Sequence, residues 1–183
     1  MSESNSIIFG GFGFIGQHLS KYLGHRSQCF DIKSNDENSS FCDIRKPIRI
    51  ECNEVSVIYN LAAIHTTPGH EYHEYFETNI KGAENICNFA REKKVNTIIF
   101  TSSIAPYGTW EEEKTENSLP LPTNAYGSSK YIAEEIHKRW QVEKSHERKL
   151  IIIRPGVVFG QNEHGNFTRL YKAMKKGTFF YPG

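Results

Sequence analysis

The sequence predicts an α/β fold, a doubly wound parallel sheet with helices on both faces. Three observations carry this. Short, nearly continuous apolar runs rich in β-branched residues recur along the chain, the pattern of strands buried on both sides. Stretches with apolar residues at helical spacing lie between those runs. A spaced glycine triplet marks the first passage from a run into such a stretch.

Taken in order, "SIIFG" (6–10) is the first strand, and Ile15, Leu19, Tyr22 and Leu23 make the apolar stripe of the helix after it. "SQCFDI" (27–32) reads as a weaker strand and "FCDI" (41–44) as a further short one. "VSVIYNLA" (55–62) is the next strong strand. It leads to a long helix, 71–93, striped by Phe76, Ile80, Ala83, Cys87 and Ala90. "NTIIFTSS" (96–103) is a strand, and 109–124 is a polar, proline-bearing loop. The helix 125–145 sets Ile132, Ala133, Ile136 and Trp140 inward, opposite Glu134, Glu135, Lys138 and Arg139. "LIIIRPGVVFG" (150–160) closes the sheet. Strand–helix alternation of this kind requires right-handed crossovers, hence parallel strands with helices on both faces.

Composition removes several function classes. With 183 residues, 38% hydrophobic and 23% charged, the chain is an ordinary globular domain. A formal net charge of +1 argues against nucleic acid or a membrane surface as partner. No apolar run approaches the roughly 18 residues of a membrane span, and "MSESNS" has no Lys or Arg to start a secretory signal. Cys29, Cys42, Cys52 and Cys87 form no CxxC pair, so reduced thiols in a cytoplasmic protein are expected. The sequons at Asn38 and Asn166 are then without consequence. "HEYH" (70–73) is one residue short of the zincin spacing, and no metal site is expected. Phe179, Phe180 and Tyr181 have nothing downstream to pack against. The expectation is a domain over 1–160, with 161–183 the start of a truncated substrate-binding region.

In "IIFGGFGFIGQHL" the glycines Gly10, Gly13 and Gly16 stand three apart between strand and helix. The first permits the sharp turn, the second lets backbone approach a pyrophosphate, and the third lets helix and strand pack closely. The helix N-terminus adds unpaired N–H groups for the phosphates, from Phe14 and Ile15 onward. An acid is needed about 20 residues on, at the end of the second strand, and Asp31 stands there. A carboxylate accepts ribose hydroxyls and repels a 2′-phosphate, which favours NAD over NADP, although Lys33 is near. The domain is thus expected to be a Rossmann-type NAD site.

With these glycines in place the sequence resembles the extended short-chain dehydrogenase/reductases, specifically the NAD-dependent nucleotide-sugar epimerases and dehydratases. Several blocks agree in order: "GGFGFIG"; "FCDIR", giving Asp43 and Ile44 beside the adenine; "NLAA", giving Leu61, Ala62 and Ala63; "TNIKGAENI" with Asn79; "TSSIAPYG"; "YGSSK"; and "RPGVVFG". The resemblance implies that Tyr126 is the general acid/base. It implies that Lys130 lowers the phenol pKa and holds the nicotinamide ribose, and that Ser103 bonds the substrate oxygen. A nucleotide-sugar substrate and a homodimer through the helices 71–93 and 125–145 follow from the same resemblance.

Spacing and chemistry agree with that division of labour. Tyr126 and Lys130 are four apart, one helical turn on the same side. Free phenols ionise near pH 10, so a proton-transfer role at neutrality needs a neighbouring positive charge. In the 4,6-dehydratases of the family an Asp-Glu pair follows the position of Ser103. Here Ile104 and Ala105 follow, and neither moves a proton, which points to an epimerase or a reductase. One departure is that Pro155, Gly156 and Val157 follow Arg154, where UDP-galactose 4-epimerases place a nucleotide-contacting asparagine. The alternative is a catalytically silent NAD-binding sensor or scaffold, which would need only the glycine loop and Asp31.

Overall fold

In a computed structural model, which describes residues 5–34, 40–52, 54–65, 69–109, 112–161, 163 and 165–178, the first apolar run forms β1 (Ser6–Phe9) with every residue buried. Asn38 of the first sequon and Phe179, Phe180 and Tyr181 lie outside the described residues. Helix α1 (Phe14–Leu23) and a short 3-10 turn lead to β2 (Ser27–Phe30), and β3 (Val57–Asn60) follows. The predicted long helix is α2 (Tyr72–Tyr75), a π turn (Phe76–Ile80) and α3 (Lys81–Glu92). Then come β4 (Thr97–Thr101), α4 (Ala125–Val142), β5 (Lys149–Ile153) and α5 (Asn166–Lys175). The strands are all parallel in the order β2-β1-β3-β4-β5.

The order reverses direction at β1. The chain goes one way from β1 to β2 and the other way to β3, β4 and β5, so right-handed crossovers put α1 on the face opposite α3 and α4. This is the predicted doubly wound, Rossmann-type sheet, and the crevice at the reversal, above β1 and β3, is where such sheets bind ligands. The principal core fills the α3/α4 side: Ile7, Phe9, Ile58, Ile86, Phe89, Ile98 and Trp140 are all at most 2% exposed. Phe9 and Phe89 meet edge to face with centroids 5.8 Å apart.

Some expectations from the sequence are corrected. "FCDI" does not form a sixth strand among the described residues. A single parallel bridge joins Phe41 to Asp31, and the chain then turns. The Asp43 carboxylate causes this, because its Oδ1 accepts the Arg45 N–H (3.0 Å) and closes an Asx turn. β5 stops at Ile153, just before Pro155, which has no N–H to donate to a ladder. Tyr22 and Ile132, read as inward-facing, are 81% and 39% exposed, whereas Glu134, read as part of the polar face, is wholly buried.

Helix ends explain other sequence features. "HEYH" turns out to be a helix start. Glu71 caps α2, and its own N–H is taken by the Glu74 carboxylate at 2.8 Å, a capping box. Asn124 caps α4 by accepting the Gly127 N–H at 2.8 Å. Past α4, Glu143 receives Arg91 from α3 at 2.6 Å and Arg148 at 2.7 Å. The bond from Arg91, then that from Arg148, holds its carboxyl down to about 2. The side chain is nevertheless 38% exposed, so water screens the pair and it contributes under about 1 kcal/mol.

Candidate active site

The glycine loop is built as the spacing requires. Gly10 has φ +80° and donates its N–H to Phe30 O at 2.8 Å. A Cβ on it would lie 2.7 Å from Ala62 N, so the loop after β3, with Leu61, Ala62 and Ala63, presses directly against it. Gly13 precedes α1, which has no side-chain cap, so the first-turn N–H groups of Phe14, Ile15 and Gly16 have no partner from a capping side chain. A Cβ on Gly16 would overlap Gly10 O, so the helix start sits hard against the loop.

Asp31 is 9% exposed at the end of β2. Its carboxylate accepts Phe12 N at 3.1 Å and Lys33 N at 3.0 Å, so it ties the glycine loop to the turn after β2. Each oxygen keeps a further lone pair for a ribose hydroxyl. Gly10→Ala should therefore reduce dinucleotide affinity at least about tenfold. The new side chain needs a strained left-handed backbone, worth on the order of 1–3 kcal/mol, and displaces the Ala62 segment. Titration of NADH fluorescence checks this.

Two of the predicted adenine-side residues part company. Asp43 lines an open cleft with Arg45, Lys46, Glu77 and Lys81. The side-chain bonds from Arg45 (2.8 and 2.9 Å) hold its carboxyl below the usual range. The Ile44 side chain is instead buried against Gly82, and its carbonyl accepts Asn85 Nδ2 at 2.7 Å. Asn79 is also turned inward. Its Oδ1 accepts Ile64 N (3.0 Å), and its amide donates to Ile64 O (3.1 Å) and Ser129 Oγ (2.9 Å). The extra residue of the π turn brings it onto the buried face. There it fastens the loop after β3 to α4, and all its amide hydrogens are spent.

Ser103, Tyr126 and Lys130 lie at the C-terminal edge of β4 and β5. Ser103 follows β4, and its Oγ accepts Ala105 N at 3.1 Å. Tyr126, in the first turn of α4, is buried beside Ser103. Burial raises the phenol's pKa, and the Ser103 hydroxyl opposes that rise. Lys130, one turn on, is 2% exposed. Its ammonium donates to Thr101 O at 2.6 Å and lies 4.3 Å from the Phe100 ring centroid. Burial pushes it down to about 7, against the opposing pull of Glu134. The lysine head is engaged by Thr101 O, and the phenol is raised by burial and lowered by Ser103.

Beneath this group lies a polar network that the sequence reading missed. Glu134 accepts Arg154 through Nε at 2.8 Å and Nη2 at 2.5 Å, and Ser102 Oγ at 2.5 Å. Arg154 also donates to Tyr107 OH at 2.5 Å. His137, wholly buried, stacks on Phe100 at 4.2 Å, bonds Ala133 O through Nδ1 and faces Asn60 Nδ2 with Nε2. A sequence signal existed: Tyr126, Lys130, Glu134 and His137 share one helix face at three- and four-residue spacing.

A doubly wound sheet whose glycine loop faces an acid, with serine, tyrosine and lysine at its carboxyl edge, defines a short-chain-dehydrogenase type of site. The family model described as "NAD dependent epimerase/dehydratase family" matches residues 6–179, and the chain belongs to that family. Among curated relatives, the N-acetyl-alpha-D-glucosaminyl-diphospho-ditrans,octacis-undecaprenol 4-epimerase of Escherichia coli O157:H7 is 32% identical over 99% of this chain and 57% of its own length. The UDP-glucose 4-epimerase of Vibrio cholerae is 28% identical over 93% of this chain and 57% of its own. The chain thus spans just over half the length of these relatives. Similar folds include UDP-glucuronic acid 4-epimerase from Bacillus cereus in complex with NAD, with TM-score 0.74, 24% identity and coverage of 94% of this chain and 63% of that one. UDP-N-acetylglucosamine 4-epimerase from Methanobrevibacter ruminantium gives 0.74, 22%, 97% and 64%.

Proposed function

We propose that the chain carries the cofactor and proton-transfer site of an NAD-dependent 4-epimerase acting on a nucleotide sugar. The observation that carries this is the Tyr126 phenol beside the Ser103 hydroxyl at the sheet's carboxyl edge, with Lys130 one turn behind it. The cofactor fit rests on the Gly10 cradle, which a Cβ would fill, on the uncapped start of α1 and on the Asp31 carboxylate. Phe14, Ile15 and Gly16 would hold the diphosphate, Asp31 the adenosine ribose, and Lys130 the nicotinamide ribose. Bound NAD supplies a reversible hydride acceptor. Tyr126 takes the proton of the sugar hydroxyl as the hydride leaves and returns it when the hydride comes back to the other face. Ser103 holds the same oxygen. Ile104 and Ala105 carry no acid at the position where the 4,6-dehydratases place their Asp-Glu pair, which speaks against a 4,6-elimination.

The domain boundary near 160, the cytoplasmic setting and the homodimer belong to the same proposal. All four cysteines are free thiols, and no helix among the described residues is long and apolar enough to cross a membrane. α3 and α4 pack side by side, with Ile132 and Val142 of α4 exposed.

A second reading keeps the chemistry and replaces the nucleoside with a polyprenyl diphosphate carrier. It is favoured by Pro155-Gly156-Val157 in place of a nucleotide-contacting asparagine and by the exposed Val157 and Phe159 beside it. The test is turnover of UDP-linked hexoses and of the same sugars on a polyprenyl diphosphate, with NAD binding followed by fluorescence. Interconversion of C4 epimers supports the proposal, and the faster donor selects between the readings. NAD binding with no turnover of any sugar would make the chain a sensor or scaffold.

A further inference from the structure

The Glu134–Arg154 pair is largely buried, and a buried pair is weak evidence of a stabilising role, since apolar residues of similar volume commonly do as well. Its connections suggest another reason for it. Ser102 N donates to Ile153 O at 2.7 Å and Ile104 N to Pro155 O at 3.2 Å, so Ser103 is suspended between two bonds to the end of β5. The Ser102 hydroxyl reaches Glu134, while Ser103 lies beside Tyr126. Arg154 clasps Glu134 on α4 and, with its remaining nitrogen, Tyr107 at the end of the turn Ala105–Tyr107. Its guanidinium also stacks over the Tyr107 ring, 4.7 Å from the centroid. One ion pair therefore joins the segment after β4, the segment after β5 and the helix bearing Tyr126 and Lys130.

We propose that Glu134 and Arg154 are positioning residues for the Ser103, Tyr126 and Lys130 group, fixing the three segments in register and placing the Arg154-clasped carboxylate one turn from the Lys130 ammonium. This rests on the functional reading above. The charged and titratable groups around Lys130 are few. On α4 they are Tyr126, Glu134 and His137, and the loop after β3 contributes His65, whose pKa Lys130 helps to lower. β4 offers only Thr101 O and the Phe100 ring, and Arg154 is turned onto Glu134. Glu134 is thus the carboxylate that opposes the effect of burial on the lysine.

The test uses Glu134→Gln and the double variant Glu134→Gln/Arg154→Gln, in which no unpaired charge is left buried. The protein is labelled with [6-13C]lysine, and the Lys130 signal is assigned by its loss in Lys130→Met. Lys130 should titrate near neutrality in the parent and at lower pH, by roughly one unit, in both variants. The alkaline limb of kcat/KM should move down with it. The double variant should recover the parent melting temperature to within a few degrees while keeping the displaced midpoint, which separates positioning from scaffolding. An unmoved Lys130 midpoint with an unmoved alkaline limb in the folded double variant would overturn the proposal, whatever happens to Tyr126→Phe. Loss of the functional reading is reported separately, by full turnover in Tyr126→Phe.

Discussion

Tyr126→Phe is expected to lower kcat by about 10²- to 10⁴-fold, the range for removing a positioned general acid–base group. KM and NADH affinity should hold to within about twofold, because the lost hydroxyl acts on the reacting oxygen rather than on uniform binding. The reasoning starts from where the phenol sits. Burial against the helix and sheet raises its pKa, and only Ser103 among its neighbours pulls it back. An unassisted buried phenol is protonated at neutral pH and cannot accept a proton, so ionisation must be coupled to a positive charge. Lys130 lies one turn away with its ammonium on Thr101 O, and the oxidised nicotinamide brings a second positive charge. kcat/KM in the parent should accordingly rise with pH as Tyr126 ionises, up to the alkaline limb on which Lys130 loses its proton. In Tyr126→Phe that rise should vanish. Parent-like kcat in the variant would remove Tyr126 from the chemistry, and Ser103 would then need another proton acceptor.

What the sequence made legible follows from how each signal arises. Backbone-determined features could be read in advance. Gly10 must adopt φ +80° and admit Ala62 N, and Gly16 must let α1 touch Gly10 O, so only glycine fits at either place. Continuous apolar runs gave the strands because both faces of β1 are covered. The same logic misread α4. Its buried face carries Lys130, Glu134 and His137, so a search for apolar periodicity counted the wrong residues as inward and set Ile132 in the core. Polar groups are buried there because Asn60 of β3 and Ser102 and Arg154, just past β4 and β5, come from distant parts of the chain to satisfy them, and pairings across the sheet leave no trace in local spacing.

The loop residues show the same boundary. Asn79 stands in the family-like block "TNIKGAENI", and its amide hydrogens are taken by Ile64 O and Ser129 Oγ. The π turn that sends it inward adds one residue to a helical turn, a change invisible to a pattern assuming 3.6 residues per turn. Asp43 was singled out by its resemblance to an adenine contact. In the structure it first closes its own turn through Arg45, which is also why the sixth strand shrinks to one bridge. A motif therefore points to a segment, while what each side chain touches depends on partners that only the fold supplies.

Acid should destabilise the protein between about pH 6.5 and 4, before most carboxylates titrate, and His137 is the cause. Burial pushes this imidazole down to about 4, helped by Lys130 and opposed by the bond to Ala133 O and by Glu134. The unfolded chain takes up that proton near 6.5, whereas the folded chain resists until about 4. Over this interval the unfolded state holds more protons, so stability falls as pH falls, by on the order of 3 kcal/mol in all. The geometry makes the cost concrete. Nδ1 is 2.7 Å from Ala133 O, and Nε2 faces the Asn60 amide nitrogen at 3.3 Å, an arrangement that suits a neutral ring with Nε2 accepting. A second proton would set donor against donor, in a ring stacked 4.2 Å from Phe100 with no water contact. Lys130 adds a separate window: folded near 7 and unfolded near 10.5, it should make stability rise again from pH 7 upward. Urea denaturation from pH 4 to 8 checks the first window. His137→Phe, which keeps the stacking ring and cannot titrate, should flatten the slope between 6.5 and 4 and leave the rise above 7 in place. An unchanged slope in that variant would assign the acid sensitivity to other groups.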